Sequence, residues 1–148
     1  MVVSDDGDKP DPRRRVRTFH ARHGRVTDRM RNVIAELGPR FAMDRRPDES
    51  RPVTVEVGCG FGEAAAAYAD HRPDVDVIAF DIHTPGIVAT LEAAASRHNL
   101  YVDRADAVEQ LAAVFAPATI AAIHVFFPDP WPKARHHKRR FIRPDILD

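Results

Sequence analysis

From residue 53 onward the chain runs in blocks, with short stretches rich in β-branched and apolar residues alternating with longer stretches at helical spacing. "VTVEV" (53–57), "VDVIAF" (75–80), "LYVD" (100–103) and "TIAAIHVFF" (119–127) predict strands. "EAAAAYAD", "TPGIVATLEAAASRH" and "AVEQLAAVF" predict the helices between them. Thr84 followed by Pro85 is a cap and first-turn signature for the second of these helices. Ahead of the blocks, in "TDRMRNVIAEL" (27–37), Thr27 can cap a helix whose Met30, Val33, Ile34 and Leu37 form one apolar stripe, and Gly38-Pro39 predicts its end. "DRRPDESRP" (44–52) reads as a polar loop. Strands separated by helices of this length predict an α/β fold, a parallel sheet joined by right-handed crossovers.

Composition narrows this picture. A chain of 148 residues, 44% of them hydrophobic, fits one domain. Residues 1 to 16 mix Asp, Gly, Pro and Arg with almost nothing apolar, which predicts a disordered tail ahead of a domain covering 17 to 148. The first residues do not form a signal peptide, and no stretch approaches the roughly 20 apolar residues of a membrane span. The expected location is the cytoplasm. Cys59 is the one cysteine, so no intrachain disulfide and no thiolate metal site is expected. Basic and acidic residues balance at 22 each, so affinity for a polyanion has to come from local clusters. One cluster is Arg13, Arg14, Arg15 and Arg17; the other is Lys133, Arg135, Lys138, Arg139, Arg140 and Arg143. Either could also be an ordinary solvated face.

The candidate chemistry sits where strands end. Glu56, Asp81, Asp106 and Asp129 stand at or just past the four strand ends, roughly one every 25 residues, which is one per βα unit. Ligands of open α/β sheets bind outside those ends, although an acid there also commonly caps a helix. "EVGCGFGEA" (56–64) adds Gly58, Gly60 and Gly62 between the first strand and its helix, where a ligand can lie against the backbone. The spacing G-x-G-x-G differs from the dinucleotide G-x-G-x-x-G. Glu56 directly before it would repel a pyrophosphate and attract the ammonium and sulfonium of S-adenosylmethionine. Asp81 is then placed for the ribose hydroxyls and Asp106 for the adenine amino group.

The segments "EVGCGFG", "AFDIHTPGI", "DAVEQL", "FFPDPWPKARHHKRR" and "RTFHARHGRVT" together resemble the bacterial tRNA (guanine-N7-)-methyltransferase family, over the span from about residue 17 to the end. The resemblance implies a Rossmann-like, S-adenosylmethionine-dependent methyltransferase that acts on tRNA. It implies that Glu56, Gly58, Gly60, Asp81 and Asp106 hold the cofactor and that Asp129 is the active-site acid. By the same resemblance Lys133 binds substrate, and Arg135, His136, His137, Lys138, Arg139 and Arg140 belong to the RNA-contacting run. Two departures stand out. The family usually has Glu where Asp81 stands, and it continues past the basic run through further strands bearing another substrate-binding acid and a Thr-x-x-Glu segment.

Residues 17 to 148 are therefore expected to form the N-terminal part of such a domain, an incomplete sheet of its first four strands. That would leave "TIAAIHVFF" as an edge strand prone to self-association and make the chain alone weakly active; the alternative is a catalytically impaired RNA- or cofactor-binding remnant.

For the segment 126–140 the chemistry is specific. Guanine N7 has an in-plane lone pair and no proton, so methylation needs alignment and no general base. Asp129 can accept from the Watson–Crick edge of guanine and favour the charge the purine gains. Pro128 and Pro130 stiffen its loop. Trp131, Phe126 or Phe127 can stack on a base, while strand alternation predicts that at least one of the two Phe points into the core. The basic residues beyond would contact phosphate. His136 and His137 lack a partner Cys or a spaced His pair, so no metal is expected there.

Overall fold

The computed structural model describes residues 25–144. The expected tail, the Arg13–Arg17 patch and most of "RTFHARHGRVT" lie outside the described residues. Within them the element order is α1 (Asp28–Phe41), β1 (Val53–Val57), α2 (Glu63–His71), β2 (Asp76–Asp81), α3 (Thr84–Ala94), β3 (Leu100–Arg104), α4 (Ala107–Val114) and β4 (Ile120–Val125). The four strands form one parallel sheet in the order β3-β2-β1-β4, the Rossmann-like arrangement expected of these blocks. No helix among the described residues is long and apolar enough to cross a membrane.

Both faces of β1, β2 and β3 are largely covered, which is why these strands read as nearly continuous apolar runs, whereas edge strand β4 leaves Ile123 43% exposed. On one face Val77, Ala79, Leu100 and Val102 pack with Ala65 and Ala69 of α2 and with Ile87, Leu91 and Ala94 of α3. Alanine at 65 and 69, one helical turn apart, keeps that face of α2 slim against its neighbours. On the other face Val53, Val55, Ile78, Phe80 and Tyr101 pack with Ala107 and Phe141. Full burial of a side chain such as Leu91 or Phe80 contributes about 1.5–3 kcal/mol relative to exposure.

Helix α1 lies over the first face through Val33, Ile34, Leu37 and Phe41. Thr27 caps it as predicted, its Oγ1 accepting from Met30 N at 3.3 Å. The predicted stop at Gly38-Pro39 is wrong: the helix continues through Pro39 to Phe41. Pro39 forfeits one hydrogen bond in the last turn, and the packing of Phe41 offsets that loss. The predicted cap at Thr84 also shifts, because His83 is the N-cap and Thr84 the first helical residue. Helix α3 ends at Ala94, short of the predicted 98, and Asn99 explains the following turn. Buried at 2% exposure, its Nδ2 lies 2.9–3.0 Å from the carbonyls of Ala69, Arg72 and Val75.

Beneath the amino ends of the strands, Asp76 is buried between Arg46 and Arg51, whose Nε atoms donate to its two carboxylate oxygens at 2.9 and 2.8 Å. The polar loop 44–52 is thereby pinned to the sheet.

Candidate functional site

Strand order runs outward from β1 through β2 to β3, and then β4 returns to the opposite side of β1. The carboxyl ends of β1 and β4 thus flank the point where the order reverses, the place such sheets hold a ligand. Glu56 lies in β1 opposite Ala79 of β2 and His124 of β4. It is 2% exposed, and its Oε2 has no hydrogen-bond partner among the described residues. Burial pushes the carboxyl up to about 7. A buried acceptor left unpaired costs about 1–3 kcal/mol, so this oxygen marks a place where a donor or cation is wanted.

The loop that follows turns on glycines with positive φ at 58, 60 and 62. Gly58 N and Cys59 N both donate to Phe80 O, at 2.8 and 3.1 Å, and Gly62 N donates to Cys59 O at 2.9 Å. Gly60 N donates to Asp81 Oδ2 at 2.8 Å. The other oxygen of Asp81 accepts from Ile82 N and His83 N at 2.7 and 2.8 Å. One carboxylate therefore ties the glycine loop to the end of β2. A Cβ added to Gly58 or Gly60 would meet nothing within 4 Å, so this side of the loop is an open cradle. Behind the loop Cys59 is buried, its thiol pushed up to about 12 chiefly by burial, and it packs against Thr90 with Sγ 3.7 Å from Oγ1. It is a core residue with no nucleophilic role.

Asp106 is the N-cap of α4, its Oδ1 accepting from Val108 N at 3.0 Å. Of the four acids, this is the one whose visible work is helix capping. Asp129 follows β4 in an exposed loop whose backbone is strained on both sides: Phe127 and Trp131 have φ of +49° and +38°. Left-handed backbone at a non-glycine residue costs about 1–2 kcal/mol, and such strain concentrates at functional sites. Strand β4 stops at Val125, so alternation does not carry into the two Phe. Neither enters the core: Phe126 is 49% and Phe127 98% exposed. Trp131 reverses the expectation the other way. At 3% exposure it is buried, so its ring is not open for a base.

The basic run forms a 3₁₀ turn, Ala134–Arg139, in which His136 N donates to Lys133 O and Arg140 N to His137 O. Phe141, 5% exposed, anchors the end of the run in the core. Lys133, Arg135, His137 and Lys138 are exposed. Arg139 places its guanidinium 4.8 Å from the Trp131 ring centroid, and His136 meets the same ring edge-on at 5.4 Å. Arg140 donates from Nε to Pro130 O and from Nη2 to Trp131 O, at 3.2 and 3.4 Å.

Sequence reasoning passed over three aromatic pairs at the same edge. His124 packs on Tyr68 with centroids 4.7 Å apart and on Phe126 at 5.6 Å. Phe61, 58% exposed on the glycine loop, meets His83 edge-on at 6.1 Å. The lone histidine inside "TIAAIHVFF" is the available signal for the two pairs made by His124.

Residues 50–148 match a family model described as a putative methyltransferase. The chain is 40% identical to a tRNA (guanine-N(7)-)-methyltransferase of Thiobacillus denitrificans over 158 residues, covering 99% of this chain and 68% of that relative. A protein of the same name from Paraburkholderia xenovorans is 40% identical over 91% of this chain and 56% of its own length. One from Burkholderia mallei is 42% identical over 97% and 58%. Against these three relatives the chain spans between 56% and 68% of their length. The identity to these relatives extends over nearly the whole chain, including the acid, the glycine loop and the basic turn described above, and the chain belongs to the tRNA (guanine-N(7)-)-methyltransferase family.

Proposed function

We propose that this chain binds S-adenosylmethionine and directs its methyl group to N7 of a guanosine in tRNA. The observation that carries the reading is the unpaired, buried Oε2 of Glu56 beside the open side of Gly58 and Gly60. A carboxylate there suits a cationic ligand, since a nearby positive charge stabilises the ionised form that burial alone disfavours. When bound, S-adenosylmethionine supplies a sulfonium-borne methyl carbon; the N7 lone pair forms the new bond as the C–S pair returns to sulfur.

The remaining work belongs to the protein. Glu56 holds the ligand ammonium, Gly58 and Gly60 let the ligand approach the backbone, and Asp81 accepts ribose hydroxyls at the lone-pair capacity its backbone donors leave on Oδ2. Asp106, at the end of β3, reaches toward the adenine amino group while capping α4. Asp129 accepts from the guanine edge and favours the positive charge that the purine acquires. Lys133, Arg135, His136, His137, Lys138, Arg139 and Arg140 make up the basic turn on the tRNA side, where exposed cations can meet phosphate. The test is incubation of the chain with tRNA and S-adenosylmethionine, then nucleoside mass spectrometry. N7-methylguanosine above a no-protein control is expected; its absence, in a preparation that binds both ligands, would overturn the catalytic reading.

A further inference from the structure

The basic run divides into two sets of side chains with different partners. Arg139 is half-buried against the loop that carries Asp129, and Arg140, though itself exposed, donates to the backbone of that loop. The guanidinium of Arg139 lies over Trp131, and its Nε is buried. Arg140 donates to the carbonyls of Pro130 and Trp131, the residue after Asp129 and the next one along. Between them these two arginines hold both the ring and the backbone of a segment whose φ of +38° at Trp131 needs outside support. Lys133, Arg135, His137 and Lys138 are exposed.

We infer that Arg139 and Arg140 are positioning residues that clamp the strained 127–131 loop and so aim Asp129, while the phosphate contacts are made by Lys133, Arg135 and Lys138. The physical case rests on competition for the same donors. A guanidinium over a buried indole holds a cation–π contact that desolvation strengthens, and moving it onto a phosphate would expose the ring. Arg140 would likewise have to release two loop carbonyls. Arg135 donates to His136 Nε2 at 3.3 Å rather than to the loop, and Lys133 and Lys138 are exposed, so these three can meet phosphate without releasing the carbonyls of Pro130 and Trp131. The phosphate half of this division depends on the tRNA reading above; the clamp half does not.

Trp131 is the one tryptophan in the chain, so its fluorescence reads the clamp directly and without RNA. Arg139→Ala is expected to shift Trp131 emission to longer wavelength and raise its quenching by acrylamide, with Lys138→Ala unchanged in both. In tRNA binding, Arg135→Ala and Lys138→Ala together should flatten the log–log salt dependence by about one unit per contact, and Arg139→Ala should leave that slope as it was. Arg139→Lys separates charge from stacking: it keeps the slope, and it should still lose turnover and still red-shift Trp131. Unaltered emission in Arg139→Ala, or a flattened slope in Arg139→Ala with full recovery in Arg139→Lys, would overturn the clamp. Failure of the wild-type chain to bind tRNA would instead strike the RNA reading, and the emission data would still decide the clamp.

Discussion

Gly86 in α3 packs directly on the carbonyl of Gly60: a Cβ built at position 86 would stand 2.1 Å from Gly60 O. The first turn of α3 and the middle of the glycine loop therefore touch backbone to backbone. Gly86→Ala must push the loop off the helix, since backbone on one side and a helix on the other leave nothing flexible to yield. The expected cost is about 1–3 kcal/mol in thermal unfolding, with a parallel loss of S-adenosylmethionine affinity by calorimetry. Gly60→Ala makes the contrast. Its Cβ meets open space, so stability should fall by only about 1 kcal/mol, from the φ of +56°, while affinity falls because the methyl occupies the cradle.

Glu56 predicts opposite pH trends for stability and binding. Its carboxyl titrates near 4.5 when unfolded and near 7 when buried in the fold, so the folded state disfavours the charge. Stability from this group is complete below 4.5 and is lost as pH rises through 7, a loss on the order of 3 kcal/mol. Glu56→Gln should accordingly unfold at a higher temperature than wild type at pH 8 and at a similar temperature near pH 4.5. Affinity for S-adenosylmethionine should move the other way, weakening in the wild type as pH drops below 7 and collapsing in the variant. Equal melting temperatures at pH 8 would show that the buried carboxyl carries no such penalty.

Asp76 should be a stability residue with no direct part in the chemistry. Removing its charge by Asp76→Asn strands Arg46 and Arg51, whose side chains are 12% and 27% exposed, and releases the 44–52 loop. Breaking a buried pair in this way costs about 3–5 kcal/mol, or on the order of 10 °C in Tm. Cofactor affinity measured well below that Tm should be unchanged.

Phe127 offers the reverse separation. At 98% exposure it supports no core, so Phe127→Ala should leave Tm within about 1 °C of wild type. If the ring stacks on a tRNA base, binding should weaken by about 1–3 kcal/mol with the salt slope intact, because no charge is lost. Unchanged affinity would show that the exposed ring has no such partner.

The sheet and its helices were legible because buried parallel strands and amphipathic helices write their periods locally. β1 matches its predicted span, β2 shifts by a residue, β3 runs one residue further, and β4 is shorter at both ends. Glu56 and the glycine loop were legible for the same reason: a turn between strand and helix needs glycine wherever a ligand replaces side chains. What escaped depends on partners distant in sequence. Trp131 is buried with Arg139 over its ring and His136 at its edge, and nothing in a proline-rich basic stretch announces either contact. Asp76 stands at the amino end of its strand, away from the ligand edge, so its clamp on Arg46 and Arg51 left no pattern in "DRRPDESRP". Pro39 was read as a stop because propensity is local and the pull of Phe41 toward the core is not.

The way the glycine loop satisfies its own amides has a consequence for selectivity in a cell crowded with phosphorylated nucleotides. Loops of this shape that grip phosphate do so by aiming free N–H groups at it. Here the amides of residues 58, 59, 60 and 62 are already committed to Phe80, Asp81 and Cys59. A dinucleotide or a nucleoside triphosphate arriving at this edge would find a turn of the right width with four of its donors spent and a carboxylate beneath it. If the loop holds S-adenosylmethionine as proposed, these four committed amides would make it a filter, favouring an adenosine-containing ligand without phosphate over one that carries it.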